Sequence, residues 1–186
     1  VIDDFAKRYL HDDLREAREA VLEKLEGLSE YDVRRPLTAT GTNLLGLVKH
    51  LALWETRYLG EVFGRPFPEP LPRWDDPEAR GRDFWATSEE TRAEVIDRFH
   101  RAAAHADATI EALPVDAPGH VPWWPRPDVM LFNVMVHVLT ETTRHAGHAD
   151  ILREQLDGAT SAPVRDREFW TERCAEIERV AQAARS

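Results

Sequence analysis

Between residues 134 and 152 the chain reads Val134-Met135-Val136-His137-Val138-Leu139-Thr140-Glu141-Thr142-Thr143-Arg144-His145-Ala146-Gly147-His148-Ala149-Asp150-Ile151-Leu152. Steps of three and four connect Val134, Val138, Glu141, His145, His148 and Leu152, which is the period of one face of an α-helix. Midway the apolar stripe changes to Glu, His and His, then returns to Leu. Positions four apart lie about 40° apart on a helix surface, so Glu141 and His145 face one point. A core stripe accepts a carboxylate only with a compensating partner, because an unpaired buried charge is costly. A divalent cation is such a partner, and Glu with imidazole is an ordinary ligand set for zinc and its neighbours.

The rest of the chain supplies further helices of the same kind. From about Asp4 to Leu28, Leu10, Leu14, Ala17, Val21, Leu22 and Leu25 form a stripe among charged residues. Residues 29–42 read as a loop. Thr42-Asn43 then caps a second helix running to about Phe63, with Leu44, Leu47, Val48, Leu51, Trp54, Tyr58 and Val62 inward. Residues 64–83 carry Pro66, Pro68, Pro70, Pro72 and Pro77 and form a long irregular connection of the kind that often covers a site. A third helix is expected from near Ser88 to about Leu113, and 114–127 is a second Pro-rich loop holding Trp123 and Trp124. The helix quoted first runs from about Asp128 to Leu156 and stops at Asp157-Gly158. After Pro163 a last amphipathic helix, about 166–184, carries Phe169, Trp170, Ile177 and Val180. No strand and no repeat is legible. The expected fold is all-α: one domain over 1–186, a four-helix bundle at about 4–158 with long connections and an added C-terminal helix.

A third ligand must come from another helix. His50 sits between Leu47 and Trp54 at three- and four-residue spacing, on or beside the inward stripe of the second helix. A His50, Glu141, His145 set leaves a position open to water or substrate, as catalytic metal sites do. The competing reading is a salt-bridged helix surface in which Glu141 and His145 pair with each other or with Arg144. His148 is a fourth ligand, a nearby base or a packed imidazole. His137 is expected in packing or on the helix surface, and His11, His100, His105 and His120 show no partner pattern. Trp123 and Trp124 line a pocket, while Arg144 and Arg153 either hold a carboxylate of a bound molecule, are solvated, or pair with Glu154 and Asp150.

Composition narrows the function classes. A hydrophobic fraction of 42% and a charged fraction of 31% in 186 residues describe an ordinary globular protein. The formal charge of −10, with acids interleaved among the cations, speaks against nucleic acid as a partner. The single Cys174 excludes an internal disulfide and any cysteine-based zinc cluster. No stretch approaches the roughly 18 apolar residues of a membrane span. The opening Val1-Ile2-Asp3-Asp4-Phe5 has no apolar signal core, so a cytoplasmic location is the default expectation.

Two segments carry a resemblance. Asn43-Leu44-Leu45-Gly46-Leu47-Val48-Lys49-His50-Leu51, followed by Trp54-Glu55, resembles the second-helix motif of the DinB-like bundle superfamily. The run from Glu141 to Glu154, ending in Asp157-Gly158, resembles an actinobacterial branch largely catalogued as a domain of unknown function. The resemblance covers nearly the whole chain. It implies a metal site at the His of the first motif and at two positions four apart on the last bundle helix. Most members have His at both; Glu141 with His145 is the variant of mycothiol-dependent maleylpyruvate isomerase, on the thiol-dependent side of the superfamily. Members use low-molecular-weight thiols such as mycothiol or bacillithiol in S-transfer or isomerisation. Superfamily bundles often dimerise, and the helix with Trp170 offers an interface for a homodimer.

The leading expectation is therefore a metal-dependent enzyme that transfers a mycothiol-like thiol to a small electrophile. It takes one divalent ion (zinc first; nickel, iron or manganese by the same ligand set) at His50, Glu141 and His145. His148 would shuttle a proton, and Trp123-Trp124 would roof the electrophile pocket. Two other readings stand beside it. One is metal-assisted hydrolysis, which needs no thiol; the other is a metal-binding, stress-related bundle without turnover.

Overall fold

The computed structural model describes residues 4–160 and 165–185. Pro163 and the Val1-Ile2-Asp3 opening lie outside the described residues. The chain is all-α as expected: α1 (Asp4–Glu23), α2 (Glu30–Arg34), α3 (Leu44–Tyr58), α4 (Arg92–Ala112), α5 (Leu131–Asp157) and α6 (Arg167–Ala183), with short 3-10 turns at Glu61–Phe63 and Arg82–Phe84. None of the described helices is long and apolar enough to cross a membrane.

Four of the helices make the bundle, and contacts at their ends fix its directions. Lys7 near the start of α1 donates to the Leu113 carbonyl at 2.7 Å, beyond the end of α4. Arg92, at the start of α4, donates to the Leu28 carbonyl at 2.9 Å, beyond the end of α1. These two helices are antiparallel. Arg153 in the last turns of α5 donates to the Lys24 and Glu26 carbonyls at 3.0 and 2.7 Å, so α1 and α5 run together. The first residues of α3, Leu44, Leu45 and Leu47, share a core cluster with Val21, Leu25, Val95 and Leu152. Its last residues share another with Leu14, Ile110 and Leu131. The order is up, down, down, up. α3 and α4 are packed neighbours running the same way. A helix of 21 residues is about 30 Å long, and the 59–91 segment must return over that distance before α4 can begin.

Several boundaries differ from the sequence reading, each for a local reason. α4 starts at Arg92 instead of Ser88 because Thr91 and Glu94 form a reciprocal capping box. Glu90 is occupied by Lys49 at 2.7 Å and by the Thr87 amide at 2.8 Å. α5 starts at Leu131 instead of Asp128 because Asp128–Met130 pairs antiparallel with Pro118–His120, forming strands β2 and β1. This two-stranded ribbon overturns the expectation of no strand; three-residue strands are too short to show a period of two. The 29–42 loop contains α2, capped by Ser29, whose hydroxyl accepts from the Asp32 amide. α6 forms behind an Asp166 cap but buries none of its residues, and Ile177 and Val180 stand exposed.

Candidate metal centre

The α3 end of the site is built by its cap. The Asn43 side chain accepts from the Gly46 amide at 2.8 Å, closing the first turn of α3. Its amide nitrogen donates to the Phe84 carbonyl at 3.1 Å, so the same residue docks the 82–84 turn onto the helix. Gly46 makes that approach possible, since a Cβ there would collide with the Phe84 backbone. Phe84 then stacks on the His50 ring, with centroids 4.0 Å apart and planes 18° from parallel.

His50 is buried, and its two ring nitrogens have different partners. Nδ1 lies 2.6 Å from Asp83 Oδ2, and Nε2 lies 3.7 Å from Glu141 Oε1 on α5. One turn beyond Glu141, His145 is also buried, and its Nε2 lies 3.1 Å from the same Glu141 oxygen. One donor atom from each of His50, Glu141 and His145 falls within a mutual distance of 4.8 Å. Donors about 2.0–2.2 Å from one tetrahedral ion stand roughly 3.4 Å apart, and the observed 3.1 and 3.7 Å bracket that value. The donor types and spacing of the three residues fit a divalent ion.

Protonation favours the same outcome. Burial pushes the His145 imidazolium toward losing its proton, and nearby His50 adds to this; the Glu141 carboxylate offsets it only in part. Burial pushes the Glu141 carboxyl up, but His145, Arg144 and His50 together outweigh it and hold it below the usual carboxylate range. A neutral imidazole beside an ionised carboxylate is the form that binds metal.

The remaining candidates separate. The buried stripe of α5 passes through Val138, Thr142, His145, Ala149 and Leu152. Glu141 sits half-buried at its edge, and His148 is exposed outside it. This corrects the reading that put His148 on the inward stripe. His148 Nδ1 lies 3.3 Å from His145 Nδ1, on the side of that ring away from Glu141. Arg144 is bound to Glu141 Oε2 at 2.7 Å. Arg153 lies about 18 Å beyond Glu141 along the helix axis, engaged with Asp157 and the end of α1. Trp123 and Trp124 both donate to the Tyr58 hydroxyl, at 3.0 and 3.1 Å. Trp123 meets Trp54 edge-on at 5.7 Å, and Trp54 is the neighbour of His50 on the same helix. His137 packs between Tyr58 and Trp124. A cavity of about 600 Å³ lies under the 59–91 segment, with His50, Trp54, Trp74, Asp83 and Phe84 in its wall.

Asp83 and Phe84 were missed from sequence. They stand 33 residues or more from His50, in a stretch without period. The one available signal was Gly46 inside an otherwise apolar helix start, a mark of close backbone approach.

No curated protein matches this chain. Among solved structures it resembles a conserved protein from Enterococcus faecalis, with a TM-score of 0.56 and 16% identity over 86% of this chain and 100% of that one. At that identity the likeness establishes the fold. The profile of the mycothiol-S-transferase family matches residues 9–158, a range that contains His50, Asp83, Glu141 and His145. The chain therefore belongs to the mycothiol-S-transferase family, a DinB-like family.

Proposed function

We propose that the protein joins the thiol of mycothiol to a small electrophile, using one divalent ion, with zinc first among those its donor set admits, at His50, Glu141 and His145. The observation that carries this reading is the convergence of three metal-type donors within 4.8 Å in a chain of this family. A divalent ion held there supplies the positive charge that stabilises a thiolate at neutral pH.

The chain's own groups do the rest. Arg144 engages one oxygen of Glu141, leaving the other to face the imidazoles. His148 meets the His145 nitrogen that faces away from Glu141, at 3.3 Å, a position suited to orienting that ligand ring. Trp54 and Trp74 give the electrophile an apolar wall in the cavity beside His50, and Trp123, pinned with Trp124 by Tyr58, backs both of them. In the reaction a C–S bond forms, the leaving group departs with its electron pair, and the thiol proton goes to solvent.

The test uses mycothiol with 1-chloro-2,4-dinitrobenzene and follows the thioether and released chloride. Wild-type protein should form the thioether only when thiol is present. His50→Ala, Glu141→Ala and chelator-treated protein should lose the activity. Equal consumption of the electrophile without thiol would replace this reading by hydrolysis, and full activity in the His50 variant would remove the ligand set.

A further inference from the structure

Asp83 lies on the 82–84 turn of the long crossover segment and is buried. Its Oδ2 oxygen is 2.6 Å from His50 Nδ1 and accepts from the Trp54 indole at 2.9 Å. An ionised carboxylate has no hydrogen to give. At 2.6 Å, the lone pair of an unprotonated Nδ1 would face the carboxylate directly and repel it. The contact is attractive only when Nδ1 carries the hydrogen. In the neutral ring this leaves the lone pair on Nε2, the atom that faces Glu141. His145 lacks an equivalent anchor: its second nitrogen meets His148.

We propose that Asp83 is a positioning residue. It holds His50 in the Nδ1–H tautomer and orients its ring, and so sets how tightly the His50, Glu141, His145 set binds a metal ion. The second half of this proposal rests on the metal reading given above; the first half does not. Carboxylates bonded to the far nitrogen of a ligand histidine fix its orientation and raise its basicity, and losing one costs about 10–100-fold in metal affinity. Here the carboxylate comes from a segment outside the four bundle helices. It is held there by the Asn43 bond to the Phe84 carbonyl and by the space left at Gly46. Because the same oxygen also receives the Trp54 indole, the ligand's orientation and the wall of the 600 Å³ cavity share one anchoring atom.

Two measurements on the full chain test this. Nitrogen-15 correlation spectra of the metal-free protein read the His50 tautomer directly. Competition with a chromophoric chelator reads the zinc Kd. Wild type should show hydrogen on Nδ1. Asp83→Ala should shift His50 to the Nε2–H form and raise the zinc Kd about 10–100-fold, with the metal-free Tm measured alongside. Phe84→Leu removes the stacked ring but leaves the carboxylate, and should keep the wild-type tautomer. An Nε2–H form in wild type overturns the proposal. An Asp83→Ala protein with an unchanged tautomer also overturns it, whatever its zinc affinity, because the loss would then be one of packing. A wild type that binds no zinc overturns the metal reading instead, while the tautomer still decides the role of Asp83.

Discussion

Arg18 on α1 and Glu55 on α3 form an ion pair sealed inside the bundle, with side chains only 6% and 3% exposed. The Arg18 guanidinium also donates to Asp107 on α4 at 2.7 Å, and Asp107 lies 2.8 Å from His11 Nε2. Three helices are thus tied by one chain of charges. Removing one partner strands the other in a medium that solvates it poorly. Glu55→Leu should therefore cost about 3–5 kcal/mol in urea unfolding. Arg18→Met combined with Glu55→Leu should cost less than the sum of the two single changes. Strict additivity would show that the two side chains do not act as a unit.

The same cluster sets an acid limit. Burial pushes the Asp107 carboxyl up, but the His11 bond and the Arg18 charge overcome this and hold it far below the usual range. The folded state binds this proton less tightly than the unfolded chain does. Its stabilisation is complete above the unfolded value of about 3.9 and is lost as pH falls from there toward the folded value. Below pH of about 4, wild type should lose stability more steeply than Asp107→Asn. Parallel curves in urea titrations from pH 7 to 3 would refute this.

Gly46→Ala places a methyl group against the Phe84 backbone. Overpacking of this kind costs about 1–3 kcal/mol. The strain should be relieved by lifting the 82–84 turn from α3, so Trp54 fluorescence and zinc affinity should change together. A Gly46→Ala protein with wild-type Tm and wild-type zinc binding would mean that the turn does not depend on this approach.

Metal removal should be visible in stability alone. An ion that binds only the folded chain contributes about 2.7 kcal/mol at a hundredfold excess over Kd. For a chain of this size that corresponds to a Tm rise of about 5–10 °C. Zinc should raise the Tm of chelator-treated wild type by this amount and leave His145→Ala unmoved. An equal rise in both would locate the ion elsewhere.

The five long helices were legible because each carries a stripe at one period, whereas the five-residue α2 is too short to show one. Leu14, Ala17, Val21 and Leu25, for example, all went to the core as their spacing predicts. Glu141 and His145 stood out because they occupy a place on α5 where apolar residues surround them in sequence. His11 and Arg18 did not stand out: each looks like part of a solvated face until its partner on another helix is known, and both are buried. Asp83 was invisible for a related reason. Its role depends on where a Pro-rich segment lands, and that is decided by the Asn43 cap and the missing side chain at Gly46, not by any pattern near Asp83 itself. The β1–β2 ribbon was hidden by its length.

The parallel course of α3 and α4 has a consequence for how such a protein can diversify. A chain with antiparallel neighbours can join them with a tight turn, and little is left over to modify. Here the return over 59–91 is obligatory, and it lies across the face where His50 is held. Insertions, deletions and side-chain changes along it can reshape the chamber while the donors on α3 and α5 stay in register. The stretches bound to α3 resist such change: Asp83 and Phe84, the Pro72 carbonyl held by Arg57, and the Trp85 carbonyl and Glu90 held by Lys49. One bundle can thus keep the His50, Glu141, His145 cluster and change the molecules offered to it.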